Sequence, residues 1–280
     1  MKVPKSRYLT VLDREIHFME WGEPGRPPLV MWHGLARTGR DFDDIAAEFA
    51  ADRHVIVPDT IGRGLSQWSP APEQEYCNDF YARLATALLD ELELSEVDWL
   101  GTSMGGAIAI RAAAGPLRGR IRRLVLNDIG PEITRAAVER IRTYAGAPPR
   151  FARVSELEAY FRQVYQPFGY LTDAQWRRLT ETSVRRLPDG GITPHYDPRM
   201  VLQFERHPRD YDQWTQWDSL ACEVLCLRGA QSDLLLVETA DAMSRRGPLC
   251  RVATIAGCGH APALNVPDQI ALVREFLQVQ

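Results

Sequence analysis

The sequence predicts an α/β fold: a mostly parallel sheet flanked by helices, with a helical lid inserted late in the chain. Three observations lead there. Short apolar runs of the kind buried on both faces of a sheet recur at 29–32, 54–58, 97–100 and 121–127. Stretches of helical period separate them, the alternation that makes a parallel sheet with helices on both sides. The alternation lapses between about residues 131 and 212 and resumes at Val224.

Taken in order, residues 8–12 and 16–20 flank Asp13 and Arg14 and read as a β-hairpin. Pro24, Pro27 and Pro28 turn the chain into the 29–32 strand. Ile45, Ala46 and Phe49 stand at helical spacing, and 54–58 is the next strand. Apolar positions 76, 80, 84, 87 and 88 mark an amphipathic helix. A strand at 97–100 leads into a small-residue helix at 105–114, and 121–127 is again a strand. Helices fit 132–144, 155–165 and 173–186, separated by Pro148 and Pro149, by Pro167, and by Pro188 to Gly191; no buried strand is expected among them. A strand at 224–228, a helix at 237–245, a strand at 251–255 and a helix at 268–277 follow. The expected organisation is a core of residues 1–130 and 215–280, with 131–214 as a helical cap or lid.

Composition narrows the class. Of 280 residues, 45% are hydrophobic and 25% charged, enough apolar material for a packed core and too much for a disordered chain. The net charge of −4 offers no general attraction to nucleic acid or an anionic membrane. Arg118, Arg120, Arg122 and Arg123 cluster, but one such cluster in an acidic protein reads as a solvated edge. The five cysteines have no CxxC spacing and read as reduced thiols. No apolar run has the length of a signal h-region near the start or of a transmembrane helix anywhere, so a cytoplasmic protein is expected.

The strongest chemical signal is Gly101, Thr102, Ser103, Met104 and Gly105, a G-x-S-x-G directly after a strand and opening a helix. A serine on so tight a turn needs glycines on either side, since a Cβ there would strike the neighbouring backbone. The following helix aims its positive N-terminus at developing negative charge. The plainer reading is a glycine-rich turn whose serine caps a helix. A second signal is the run Trp32, His33, Gly34 and Leu35, placed where acyl transfer needs a backbone N–H for an oxyanion. The N–H of Leu35 and that of Met104 are the candidate donors. His33 lies on the wrong loop for a base and is read as structural.

With these motifs the sequence resembles the α/β-hydrolase superfamily. The run from Asp59 to Ser66 (DTIGRGLS) is similar to that family's loop after the corresponding strand, with Asp59 structural. The run from Leu227 to Asp233 (LRGAQSD) resembles the loop that carries the acid, and Gly257 to Pro262 (GCGHAP) the loop that carries the base. The resemblance covers about residues 8–130 and 215–280. Of six histidines only His260 follows the last strand and both other members, giving the order Ser, Asp, His. Asp233 is the expected acid, and Asp128, just after the 121–127 strand, is the alternative.

The expected function is therefore a serine hydrolase of a small or medium carboxylic ester, using Ser103, His260 and Asp233 with no cofactor and no metal. The alternatives are a carbon–carbon bond hydrolase of the meta-cleavage-product type, whose elbow often reads as Ser103 to Gly106 does here, or a lactonase. From a different class comes a non-catalytic ligand receptor on the same fold. Partners are expected to be a small ester-type molecule, with neither nucleic acid nor membrane, and the protein a monomer or homodimer. Most of the lid aromatics (Tyr144, Phe151, Tyr160, Phe161, Tyr165, Phe168, Tyr170, Trp176) are expected to pack, with a few lining an apolar cleft. Arg140, Arg142, Arg162 and Arg199 are candidates for a substrate carboxylate.

Overall fold

The computed structural model describes residues 3–248 and 250–278. The chain opens with β1 (Lys5–Val11) and β2 (Arg14–Trp21), paired antiparallel. Leu12 and Asp13 join them, both at positive φ (51° and 57°), the backbone that matches the twist of a two-residue hairpin. The turn therefore sits one residue earlier than Asp13 and Arg14. Next come β3 (Pro28–Trp32), α1 (Asp43–Phe49), β4 (His54–Pro58), α2 (Pro72–Glu75) and α3 (Asn78–Glu91). The elements β5 (Val97–Thr102), α4 (Met104–Ala114) and β6 (Ile121–Asn127) follow.

After β6 the chain forms α5 (Arg135–Ala145), α6 (Val154–Val164), α7 (Asp173–Glu181), β7 (Val184–Arg186), β8 (Ile192–Pro194), α8 (Gln203–Arg206) and α9 (Trp214–Asp218). It returns to the sheet with β9 (Glu223–Gly229), α10 (Val237–Met243), β10 (Arg251–Ile255) and α11 (Pro267–Gln278).

The sheet has eight strands in the order β1-β2-β4-β3-β5-β6-β9-β10, and every neighbour from β4 to β10 is parallel. From β3 the chain steps to β4 on one side and then returns to β5 on the other. That reversal leaves a crevice beyond the carboxyl ends of β3 and β5, the place where open α/β sheets hold ligands. Helices cover both faces. One face buries Trp99, Ile108 and Leu124 among its core residues, the other Phe49, Leu100 and Leu227. Trp32 and Trp99 stack within the first, centroids 5.2 Å apart.

Two expectations for residues 131–212 change. The helix over 173–186 stops at Glu181, where the Thr180 and Thr182 hydroxyls bond back to helix carbonyls. Val184–Arg186 then pairs antiparallel with Ile192–Pro194, so this segment does hold a strand pair, and the Pro188 to Gly191 cluster is its hairpin turn, with Gly190 at φ 86°. The segment is also divided in its packing. Leu157, Phe161, Trp176, Leu179 and Ile192 form a small core of their own. Ile141, Ala145, Met200 and Phe204 instead join the main core, and just past the segment Gln213 Nε2 donates to Ala107 O of α4. Among the described residues no helix is long and apolar enough to cross a membrane. All five cysteines are unpaired.

Candidate active site

Ser103 stands between β5 and α4 at φ 52° and ψ −118°, a strained conformation for a residue with a side chain. A Cβ on Gly101 would lie 2.4 Å from Gly105 C, and one on Gly105 would lie 2.0 Å from Trp32 O. The glycines are there because the turn has no room for anything else. The Ser103 N–H donates to Asn127 O at 3.0 Å, pinning the elbow to the end of β6.

His260 reaches Ser103: its Nε2 lies 2.9 Å from Ser103 Oγ. Its Nδ1 lies 2.7 Å from Asp128 Oδ2, so the structure brings the alternative acid, not Asp233, to the imidazole. Asp128 is fully buried, takes φ 56°, and has both oxygens engaged. The Gly229 N–H donates to Oδ1 at 2.7 Å, and the Ser232 hydroxyl to Oδ2 at 2.5 Å. Asp233 is a correction with a plain cause. The loop after β9 turns Ser232 inward, where its Oγ also accepts from Leu234 N and Leu235 N. The next side chain therefore faces outward, 61% exposed and paired with Arg140.

The expected oxyanion donors flank the serine. Met104 is the first residue of α4, so its N–H has no acceptor within the helix. Leu35 follows Gly34, where a Cβ would come within 3.6 Å of Ser103 Cβ. His33 has the structural role read from sequence. The Thr60 N–H donates to its Nε2 at 2.9 Å, which leaves the proton on Nδ1, 2.7 Å from Gly34 O. In a trans peptide the Leu35 N–H points opposite to that carbonyl, so His33 fixes the N–H direction as well. Burial keeps the imidazole neutral, its pKa pushed down to about 4. Asp59 is structural too, accepting from Gly39 N and Leu65 N and bonding His17.

Ser103, His260, Leu35 and Gly34 lie along a cleft of about 450 Å³. Tyr144, Tyr160, Phe161, Tyr165 and Phe168 line it from the 131–212 segment, while Phe151 and Trp176 pack within that segment's own core. Of the four candidate arginines only Arg140 borders the cleft. Arg142 pairs with Glu139, Arg162 with Glu158 and Asp173, and Arg199 with Asp197. Arg37, Arg40 and Arg178 border it as well, held by Asp41, Asp43 and Asp44. The Arg37 guanidinium also lies over the Tyr165 ring at 4.6 Å, joining the loop after β3 to the inserted segment.

Sequence reasoning missed two residues that hold this arrangement together. Ser232 is one. The other is Asn127, whose Nδ2 donates to Thr102 Oγ1 at 3.0 Å and to Pro262 O at 2.9 Å, linking the serine's strand to the histidine's loop. Asn127 and Asp128 are adjacent at the end of a strand, and two polar residues ending a buried run were a usable signal. Ser232 carried none, because one serine in a loop is ordinary.

A profile of the alpha/beta hydrolase family matches residues 29–272. The 3-hydroxybutyrate-oligomer hydrolase of Cupriavidus necator is 39% identical over 271 residues, covering 92% of this chain and 91% of that protein. The 2-hydroxy-6-oxo-2,4-heptadienoate hydrolase of Pseudomonas putida is 32% identical over 270 residues, covering 90% of each. Among solved structures, an alpha/beta hydrolase from Novosphingobium aromaticivorans is similar with a TM-score of 0.86 and 32% identity, covering 99% of both chains.

Proposed function

The chain belongs to the alpha/beta hydrolase family, and from that premise we propose that it is a serine hydrolase of carboxylic esters working through an acyl-enzyme. One observation carries the reading: the continuous path from Ser103 Oγ to His260 Nε2 (2.9 Å) and from His260 Nδ1 to Asp128 Oδ2 (2.7 Å). Ser103 Oγ bonds to the acyl carbon as its proton passes to His260 Nε2. The carbonyl oxygen, now negative, is held by the Leu35 and Met104 N–H groups. The tetrahedral carbon expels the alcohol, which takes the proton from His260. Water then repeats the sequence and releases the acid. Asp128 orients the imidazole and stabilises its charged form.

The cleft and the relative in C. necator support this substrate class. A volume of about 450 Å³ walled by tyrosines and phenylalanines suits a short acyl or hydroxyacyl ester. Residues 131–214 act as the cap that shapes this volume. Similarity to a protein named for 3-hydroxybutyrate oligomers supports esters of short hydroxy acids as substrates here.

The test uses p-nitrophenyl esters of increasing acyl length, dimers and trimers of 3-hydroxybutyrate, and a vinylogous diketone as the carbon–carbon substrate. Ester turnover in the wild type, lost in Ser103→Ala together with covalent labelling by a fluorophosphonate, is the expected result. Unchanged labelling of Ser103→Ala, or faster cleavage of the diketone than of any ester, overturns it.

A further inference from the structure

Arg63 is a buried cation that the reaction outlined above does not use. It sits in the loop after β4 with no exposed surface. Burying a guanidinium is costly unless charge or hydrogen bonds compensate, and buried arginines are usually paired with carboxylates. Among the described residues Arg63 has no such partner. Its Nε donates to Leu35 O at 2.9 Å, and Nη1 to Ile61 O and to the Tyr81 hydroxyl, each at 2.8 Å. Its Nη2 lies 3.5 Å from Met104 Sδ. The rings of Tyr76 and Tyr81 lie 5.3 Å from the guanidinium carbon. Asp197 is bonded to the Tyr76 hydroxyl and to Arg199 rather than to Arg63.

Among the groups that Arg63 contacts are Leu35 and Met104, the two residues whose N–H groups are the expected oxyanion donors. We infer that Arg63 is a positioning residue for the oxyanion hole. It anchors the Leu35 carbonyl and the Met104 side chain, and its charge, with no carboxylate in ion-pair contact among the described residues, favours negative charge on the substrate oxygen. The inference rests on the hydrolytic reading of Ser103. A carboxylate beside Arg63 would cancel the field; neutral carbonyl, hydroxyl, thioether and ring partners solvate the cation while leaving its net charge in place. In a dry interior that charge acts over several ångströms. His33 on the Gly34 carbonyl and Arg63 on the Leu35 carbonyl together hold the two peptide planes on either side of the Leu35 Cα, the first of which carries the Leu35 N–H.

The test compares Arg63→Met, which keeps the length and removes the charge, with Arg63→Lys, which keeps the charge and loses the fork. With a p-nitrophenyl ester, Arg63→Met lowers kcat roughly 10- to 100-fold with KM within about twofold, and Arg63→Lys falls in between. The second readout is an aliphatic trifluoromethyl ketone. Ser103 Oγ bonds to its carbonyl carbon, the Ser103 proton moves to His260, and the ketone oxygen becomes an oxyanion. Its affinity drops by the same factor as kcat/KM, while the matching methyl carbinol, which forms no oxyanion, binds unchanged.

If Arg63→Met does not fold, Arg63→Lys alone carries the test, with a kcat loss of about 3- to 10-fold matched by the ketone. A kcat within twofold of wild type overturns the inference. So does a lower kcat without a change in ketone affinity, or a lysine variant no better than the methionine one. Failure of the hydrolytic reading shows separately, as wild type and Ser103→Ala behaving alike toward ester and ketone.

Discussion

The loops that follow β6 and β9 each carry an aspartate near the same corner of the sheet, and only one turns its carboxylate inward. Asp128 comes directly after β6, fully buried, with both oxygens bonded and the imidazole 2.7 Å away. Asp233 lies beyond the end of β9, largely in solvent, with Arg140 as its partner. The β9 loop still serves the site, but with donors: the Gly229 N–H and the Ser232 hydroxyl hold the Asp128 carboxylate. Adjacent parallel strands end side by side, so either loop has access to the histidine, and the role goes to whichever side chain the local backbone turns inward.

The largest effect is expected where both loops converge. On the proposed reading His260→Ala removes the base that Asp128 orients, and kcat/KM on a p-nitrophenyl ester should fall by at least about 10⁴-fold. A loss below tenfold would break the comparison at its centre, since neither aspartate would then matter.

The loop after β3 offers a second inward-facing group, and its effect is on stability. His33 is held neutral by burial, with a pKa near 4 against an ordinary value near 6.5. Between those values the unfolded chain binds the proton that the folded one refuses, so stability falls as pH drops from about 6.5 to 4 and this contribution is flat outside that window. The whole change is about 3 kcal/mol. Urea midpoints measured across that range should decline in the wild type and decline less in His33→Gln.

Ser232→Ala sharpens the comparison by removing one of the donors that the β9 loop gives to Asp128. Two partners of the carboxylate remain, so kcat should fall about tenfold with KM little changed, and stability by about 1–2 kcal/mol. Arg140→Ala is the smallest change. It strips the one charged partner of Asp233 among the described residues, but both groups are half exposed or more, so kcat should stay within threefold and stability within about 1 kcal/mol. A large kcat loss in this variant would put Asp233 back in the chemistry.

Much of this was legible in sequence for physical reasons that can be named. The buried strands stood out because parallel strands covered on both faces must be continuously apolar, as in residues 54–58 and 121–127. Ser103 was legible because Gly101 and Gly105 are demanded by contacts of 2.4 and 2.0 Å. The choice of acid was not, because it depends on whether Ser232 or Asp233 faces inward, and a two-residue stretch of loop shows no periodicity. The hairpin at Val184–Arg186 and Ile192–Pro194 was hidden by its three-residue strands, too short to show alternation. Nothing in the sequence sets Arg63 apart within the 59–66 loop; its burial without a carboxylate partner among the described residues is visible only in the structure.

The most direct test of the central claim is the ratio of kcat/KM between Asp233→Asn and Asp128→Asn, measured in one assay on the same ester. Asparagine keeps the shape of each side chain and removes the charge that sets the histidine's tautomer. With Asp128 as the acid, Asp233→Asn stays within about threefold of wild type, while Asp128→Asn falls about 10⁴-fold, chiefly in kcat. A ratio near one, or a collapse of Asp233→Asn while Asp128→Asn stays active, would contradict the assignment.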